Sequence, residues 1–506
     1  MASKSSLVIR NGAAGVASQV VVLLLSFLSR SLFLKYIGEE MLGINSTFAS
    51  ILDALSLGEL GFQSAVVFML YKPLQEEDKD KVNEIITLLK TLYRYVGIFF
   101  IVAAIVVLPL LKFVLKGVTV TPQIQIYFLM QTSVSAVSYF LAYPRSLLYA
   151  DQKEYVSKLV DLVVSTVTSV LSIISLIYLR SYGVYLLLKI ANVFISNIVV
   201  LRRYKKAYPY IHKVAPNKSL LREIWNSTKN IFVGRLAGFL YRSTANLVIS
   251  SFISTVTVAF YGNYLTVLTS LRTLVESAMT SMIPIIGNSL ASAETVKEKE
   301  SLFNLYSYVR YLIALVVVIP FILLIDLFIE LWLGAEYIMP WIIKCMMAAD
   351  LYIHLVHTPT YDFITAAGMF REARNIELLG AVLNIIVSVT CVNLIGLYGV
   401  LAGTIVSQVV FWIGRSYLVF RKYLKYGNRE YMRYWAKEGA YALVFLVCLG
   451  ICYFAVNGVA MGGLLGFLVG GIICEMIVAV FILVVLRRVP ESRELLSAIL
   501  GKLKRK

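Results

Sequence analysis

Three titratable side chains share one face of a single apolar stretch. Asp350, His354 and His357, followed by Tyr361, are spaced i, i+4, i+7 and i+11 within residues 341–367. On a helix those positions stack on one side. Imidazole titrates near neutral pH, so the stripe has the chemistry of a proton relay or of a hydrogen-bonded structural seam. The chain has three histidines and two of them are here. Further carboxyl groups lie in other apolar stretches, Asp53 and Glu59 within 41–71 and Glu276 within 257–290. Protonation lowers the cost of burying a carboxyl, which makes these three candidates for binding and releasing protons. Close packing around a satisfied carboxylate is the competing account, and Gly58 and Gly61 beside Glu59 allow it. Four arginines complete the set: Arg30, Arg235, Arg242 and Arg272, of which Arg235 and Arg242 are seven apart and share a helical face. A charge at membrane depth is costly and faces a protein interior or a watery cavity. Local pairing is the alternative, Arg272 with Glu276 one turn on, and Arg30 with Asp53 or Glu59. Arg94, Arg145, Arg310 and Arg415 lie nearer the ends of their stretches and are expected to snorkel to the membrane surface.

The elements that must position these groups follow from composition. The chain has 506 residues, 59% hydrophobic and 15% charged, with mean hydropathy +0.80. A soluble protein carries about 25% charge. A span needs roughly 20 mostly apolar residues. Fourteen such stretches are expected, near 13–36, 41–71, 84–115, 123–149, 156–179, 184–201, 226–253, 257–290, 302–333, 341–367, 376–393, 399–420, 439–456 and 464–486. The fold class is therefore an all-α polytopic membrane protein with about 14 transmembrane helices, arranged as two six-helix lobes plus a C-terminal helix pair. The expected organisation is an N-terminal lobe over 1–201, a basic cytoplasmic linker over 202–225, a second lobe over 226–422, and the extra pair with an amphipathic tail over 423–506.

The net charge of +18 is concentrated in alternate loops. The intervening loops, such as 117–122, 254–257 and 334–340, are short and nearly free of cations. The positive-inside rule then places both termini in the cytoplasm. This topological account replaces nucleic acid as the reason for the basic charge. The linker RRYKKAYPYIHKVAPNKSLLR reads as positive-inside anchoring, with an anionic lipid headgroup as the sharper alternative. The tail stripe Leu495, Leu496, Ile499, Leu500 and Leu503 beside cations suits a helix lying on the inner leaflet. The five cysteines all fall in apolar stretches without a CxxC spacing, so no metal or redox site is expected and no cofactor is implied. There is no phosphate-binding GxxxxGK[ST] loop, and the loops are too short for a soluble catalytic domain. An enzyme is not expected.

The stretch from Met41 has a distant echo. Laid over the run that starts at Phe260, it places Glu59 on Glu276 and Glu77 on Glu294, as in transporters built from internal repeats. At Leu28 the sequence becomes recognisable. The run LSRSLFLKYIGEEMLGINSTFASILDALSLGELGFQSAVVFMLYKPL resembles the amino-terminal signature of bacterial polysaccharide transporters, the O-antigen and capsule flippases. That signature has an Arg in the first helix, a Leu-Gly-x-Glu-x-Leu-Gly-type turn (here YIGEEMLG), an LS-x-x-E-x-G segment and an LYKPL-like end. The run NLVISSFISTVTVAFYGNY, beginning at Asn246, also resembles the family, which often has an Asp where this chain has Asn246.

The resemblance implies a member of the multidrug/oligosaccharidyl-lipid/polysaccharide exporter superfamily, with two lobes in a V around a central cavity and alternating access. It implies as substrate an undecaprenyl-diphosphate-linked oligosaccharide, turned from the inner to the outer leaflet of the bacterial cytoplasmic membrane. Partners in that setting are membrane lipids and the polysaccharide polymerase and assembly proteins. Arginine pairs bidentately with phosphate and stays charged, so Arg30, Arg235, Arg242 and Arg272 are the candidate phosphate ligands. Asp53, Glu59, Glu276, Asp350, His354 and His357 are the candidates for proton coupling. A flippase for the peptidoglycan precursor or a teichoic-type chain is the nearest rival. A multidrug cation antiporter stands further off, because the intramembrane arginines disfavour a cationic substrate.

Overall fold

The computed structural model describes residues 23–56, 62–151, 153–212, 214, 243–279, 282–292, 295–459, 462–484 and 489–493. Glu59, Arg235, Arg242 and most of the C-terminal tail lie outside them. Helix occupies part of all fourteen apolar stretches, and no strand occurs among the described residues. Nine of the described helices are long and apolar enough to cross a membrane. The chain is a polytopic, all-helical membrane protein. It divides into two compact units, Met1–Ala259 and Phe260–Lys506.

The first unit begins with α1 (residues 23–37) and α2 (Glu39–Leu55). Between them Gly38 takes φ 102°, a left-handed conformation that a side chain resists; this is the glycine of the YIGEEMLG turn. Next come α3 (Phe62–Gln75), α4 (Lys79–Val107), α5 (Leu111–Val114), α6 (Pro122–Leu141), α7 (Tyr143–Ala150), α8 (Glu154–Tyr178) and α9 (Tyr182–Ala207). Prolines mark the breaks. Pro109 sits in the tight turn between α4 and α5, Pro122 opens α6 beneath the Thr121 cap, and Pro144 lies in the first turn of α7. Buried Ile44, Phe48 and Leu52 of α2 pack with Leu70, Leu89 and Phe128 in the core.

Helix α10 (Ser243–Ile253) ends in a widened π turn. It is tied down where Ser250 Oγ donates to the Val114 carbonyl at 2.7 Å and Thr255 N to the Lys116 carbonyl at 3.0 Å. The start of the basic linker is also held: Tyr208 OH donates to Asp151 at 2.6 Å, and the backbone N–H groups of His212 and Val214 donate to Asn83 and Thr87 of α4.

The boundary between units falls within α11 (Thr255–Met279). The second unit continues with α12 (Met282–Ser292), α13 (Val296–Trp332), α14 (Trp341–Ala366), α15 (Phe370–Ile395), α16 (Leu397–Tyr417), α17 (Asn428–Val459) and α18 (Gly463–Val484). Thr295 and Glu298 form a reciprocal capping box at the start of α13. At 37 residues, α13 is roughly 55 Å long, well beyond the ~30 Å hydrocarbon layer. Helices α15 and α16 form a hairpin around Gly396 (φ 60°). They approach so closely that a Cβ on Gly403 would lie 2.2 Å from Ser388 Oγ. Phe303, Phe363, Phe420 and Tyr434 form the aromatic centre of a second core cluster.

Candidate functional site, a chain of buried charges in the second unit

The stripe on α14 is the backbone of a polar network. Asp350 Oδ2 lies 2.7 Å from Arg272 Nη2 of α11. Its other oxygen accepts from Gln408 Nε2 of α16 at 3.0 Å. An ionised carboxylate only accepts, so Gln408 must turn its amide nitrogen toward Asp350 and its oxygen toward His357. His357 Nε2 meets that oxygen at 2.6 Å, and His357 Nδ1 faces Arg415 Nη1 at 3.3 Å. Guanidinium only donates, so Nδ1 is the acceptor and Nε2 carries the hydrogen. The two partners together fix His357 as one neutral tautomer. Arg415 passes the chain on to Glu377 of α15 through Nε and Nη2, at 2.9 and 2.6 Å. Its guanidinium also lies over the rings of Phe411 and Tyr361.

A second group is centred on Arg310 of α13, which is 1% exposed. Its Nη1 donates to Glu276 at 2.9 Å, and its Nη2 to Asp362 at 2.9 Å. Tyr306 OH donates to the same Asp362 oxygen at 2.6 Å. His354 joins the two groups: its Nε2 is 3.7 Å from Glu276 and its ring meets that of His357 edge-on. Charges from α11, α13, α14, α15 and α16 thus lie in one contiguous seam. Buried charges of this kind persist where each has a partner with good hydrogen-bond geometry.

Several expectations change here. The carboxylate that meets Arg272 is Asp350, on another helix, while Glu276 accepts from Arg310. Arg310, Arg415 and Arg145 are all held in ion pairs, and of these Arg310 and Arg415 are buried, 1% and 7% exposed. Arg145 of α7 forms a two-pronged bridge to Asp161 of α8 at 2.7 and 2.8 Å and donates to Asn197 of α9. The sequence offered no sign of Gln408, whose amide links the two halves of the seam, because a lone glutamine in an apolar helix carries no charge.

In the first unit, Arg30 Nη2 donates to the Ala259 carbonyl at 3.3 Å, and Asp53 is approached by Ser243 Oγ at 3.5 Å. Asn246 donates to Ser50 Oγ at 3.1 Å. These groups and the arginine seam lie in different units. Tyr261 and Tyr264 are buried, and Tyr264 is held between Asp326 and the Met339 backbone, which assigns both rings to packing. No cluster of metal-binding residues occurs among the described residues.

Solved structures show the same fold. The inward-facing form of a MATE-family multidrug transporter of the MOP superfamily superposes with TM-score 0.61 at 14% identity, over 81% of this chain and 99% of that one. The lipid II flippase MurJ in an inward closed conformation gives 0.57 at 14% identity, over 92% and 97%. A mutant of the Vibrio cholerae MATE transporter VcmN gives 0.52 at 16% identity, over 83% and 99%. Identities this low speak for a common fold. The sequence profile described as polysaccharide biosynthesis protein matches residues 8–290, more than half of the chain. The chain belongs to that family, as the Leu28–Leu74 run indicated. No curated protein matches it.

Proposed function

We propose that this chain is a flippase that moves an undecaprenyl-diphosphate-linked oligosaccharide, the repeat unit of an O-antigen, capsule or exopolysaccharide, across the bacterial cytoplasmic membrane by alternating access. In this reading residues 1–201 and 226–422 are the two six-helix lobes, both termini are cytoplasmic, and a polymerase and assembly proteins take over the product. Membership of a polysaccharide biosynthesis family supports a glycan-linked substrate, and the multi-pass transporter fold supports translocation. The observation that carries the reading is Arg272, a guanidinium in an apolar helix that meets the Asp350 carboxylate at 2.7 Å. A diphosphate offers a bidentate partner with more charge than this single contact, and so competes with Asp350 for the guanidinium. Arg30, Arg235 and Arg242 are assigned to the same substrate phosphates.

Proton coupling is the second part of the proposal. In the seam, Arg272, Arg310 and Arg415 face Glu276, Asp350, Asp362 and Glu377. Among the described residues, three cations face four carboxylates, one proton short of neutrality. His354, beside Glu276, and Asp350, once Arg272 turns to phosphate, are the groups placed to take that proton. Asp53, Glu59 and His357 complete the candidate set.

The test is complementation of a deletion strain. Wild type restores surface polysaccharide, Arg272→Ala does not, and Arg272→Lys restores part of it. Full restoration by Arg272→Ala removes Arg272 from the substrate site. A peptidoglycan-precursor flippase is the rival reading; it predicts that the deletion is lethal where no second such flippase exists.

A further inference from the structure

A second buried ionisable centre lies outside the arginine seam, where α17 packs against α13 and α14. Glu438 of α17 is 4% exposed, and its Oε2 meets no hydrogen-bond partner among the described residues. The hydroxyls of Tyr352 on α14 and Tyr441 on α17 are likewise buried without a partner. Tyr441 follows Glu438 by one turn of α17, Tyr434 precedes it by one turn, and Tyr352 packs at 4.5 Å on Phe445, seven residues beyond Glu438 on the same helical face. The Tyr434 hydroxyl accepts from Trp412 Nε1 at 2.6 Å, which leaves its own hydrogen free to donate.

Among the described residues no cation forms an ion pair with this carboxyl. The adjacent Lys437 points elsewhere, its Nζ 2.5 Å from Glu491 and 3.2 Å from Asn304. From α13 the nearby titratable groups are Tyr308 and Tyr311, and Tyr311 donates to the Tyr441 carbonyl at 2.9 Å. An ionised carboxylate buried among phenols without a counter-charge is heavily penalised, and the group takes up a proton instead. Three such oxygens suit ordered water, which needs two to four polar partners. They are too few to replace the hydration shell of a hard metal cation, which takes six or more oxygens.

We propose that Glu438, Tyr352 and Tyr441 form a buried proton-binding site that also holds ordered water, wedged between α13, α14 and α17. It is separate from the seam of Arg272, Arg310 and Arg415, and it sits on the helix pair that follows the twelve helices of the two proposed lobes. Ionising Glu438 places an uncompensated charge in this interface, so the packing of α17 responds to pH at this position.

The experiment is infrared difference spectroscopy of the full-length protein in lipid, titrated from acid to alkaline pH. Wild type shows a protonated-carboxyl stretch that persists at neutral pH, and Glu438→Gln, which keeps the shape without the proton, loses it. Tyr441→Phe keeps the band and shifts its frequency, a readout that serves if the glutamine variant folds poorly. A wild-type spectrum without that band at neutral pH, or a band unchanged in both variants, overturns the proposal. Loss of the band on adding sodium in place of choline at constant pH assigns the site to a metal cation and also overturns it.

Discussion

Arg310 Nη2 and Asp362 Oδ2 lie 2.9 Å apart, with both side chains almost completely buried. The same guanidinium holds Glu276, so one cation ties α13 to α11 and α14. Removing one member of a buried pair costs about 3–5 kcal/mol because the partner is left charged and alone. Arg310→Ala is therefore expected to lower the melting temperature of the purified protein sharply. Arg310→Lys is expected to recover little, since a lysine cannot reproduce the fork. The double change Arg310→Met with Asp362→Asn is expected to be milder than Arg310→Ala alone. Melting curves in one detergent check the order.

Helix packing gives a sharper steric expectation. Gly403→Ala places a Cβ 2.2 Å from Ser388 Oγ and 2.7 Å from the Asn384 carbonyl. The backbone atom cannot rotate away, so the α15–α16 hairpin must separate, at a cost of about 1–3 kcal/mol. Gly450→Ala, in the interior of α17, meets nothing within 4 Å and is expected to stabilise by about 0.5–1 kcal/mol through helix propensity. Equal melting temperatures for the two variants contradict this packing.

The docked start of the linker has a pH signature. Burial, and then the hydrogen bond to Asp151, push the Tyr208 phenol above its usual range. A phenol that ionises more easily in the unfolded chain stabilises the fold below about pH 10, the ordinary tyrosine value, and loses that contribution as pH rises further. Tyr208→Phe is expected to be less stable than wild type at pH 8 and to converge on it in alkali. Parallel stability curves across that range contradict the assignment.

Much of this could be read from residue types and spacing. The fourteen apolar stretches all contain helix, because span length and hydropathy are local properties. The α14 stripe was visible because Asp350 and His357 are conspicuous in an apolar run. Their partners were not visible. Gln408 is 58 residues from Asp350, and Glu377 belongs to a helix whose first turns look like an ordinary polar boundary. Arg310 was expected at a span end, and its burial comes from Glu276 and Asp362, 34 and 52 residues away in the chain, which spacing does not reveal. Pairing in space, as between Arg272 and Asp350, overrode pairing along the helix.

The relation between Arg272 and Asp350 bears directly on coupling. If phosphate takes Arg272 and Asp350 then takes a proton, Asp350→Asn imitates the substrate-bound state. The variant is expected to bind a soluble diphosphate more tightly than wild type and to lose the pH dependence of that binding. Calorimetric titration with pyrophosphate at two pH values checks both, with Arg272→Ala as the non-binding control. Unchanged affinity in Asp350→Asn contradicts the exchange.

The most direct test of the flippase itself is the sidedness of the lipid-linked glycan. Spheroplasts with intact membranes are prepared from deletion cells and from cells expressing the protein, and the glycan is labelled from outside with an impermeant reagent. The account predicts that the lipid-linked oligosaccharide accumulates unlabelled on the cytoplasmic face without the protein, and becomes accessible when wild type, but not Arg272→Ala, is supplied. Equal labelling with and without the protein contradicts it.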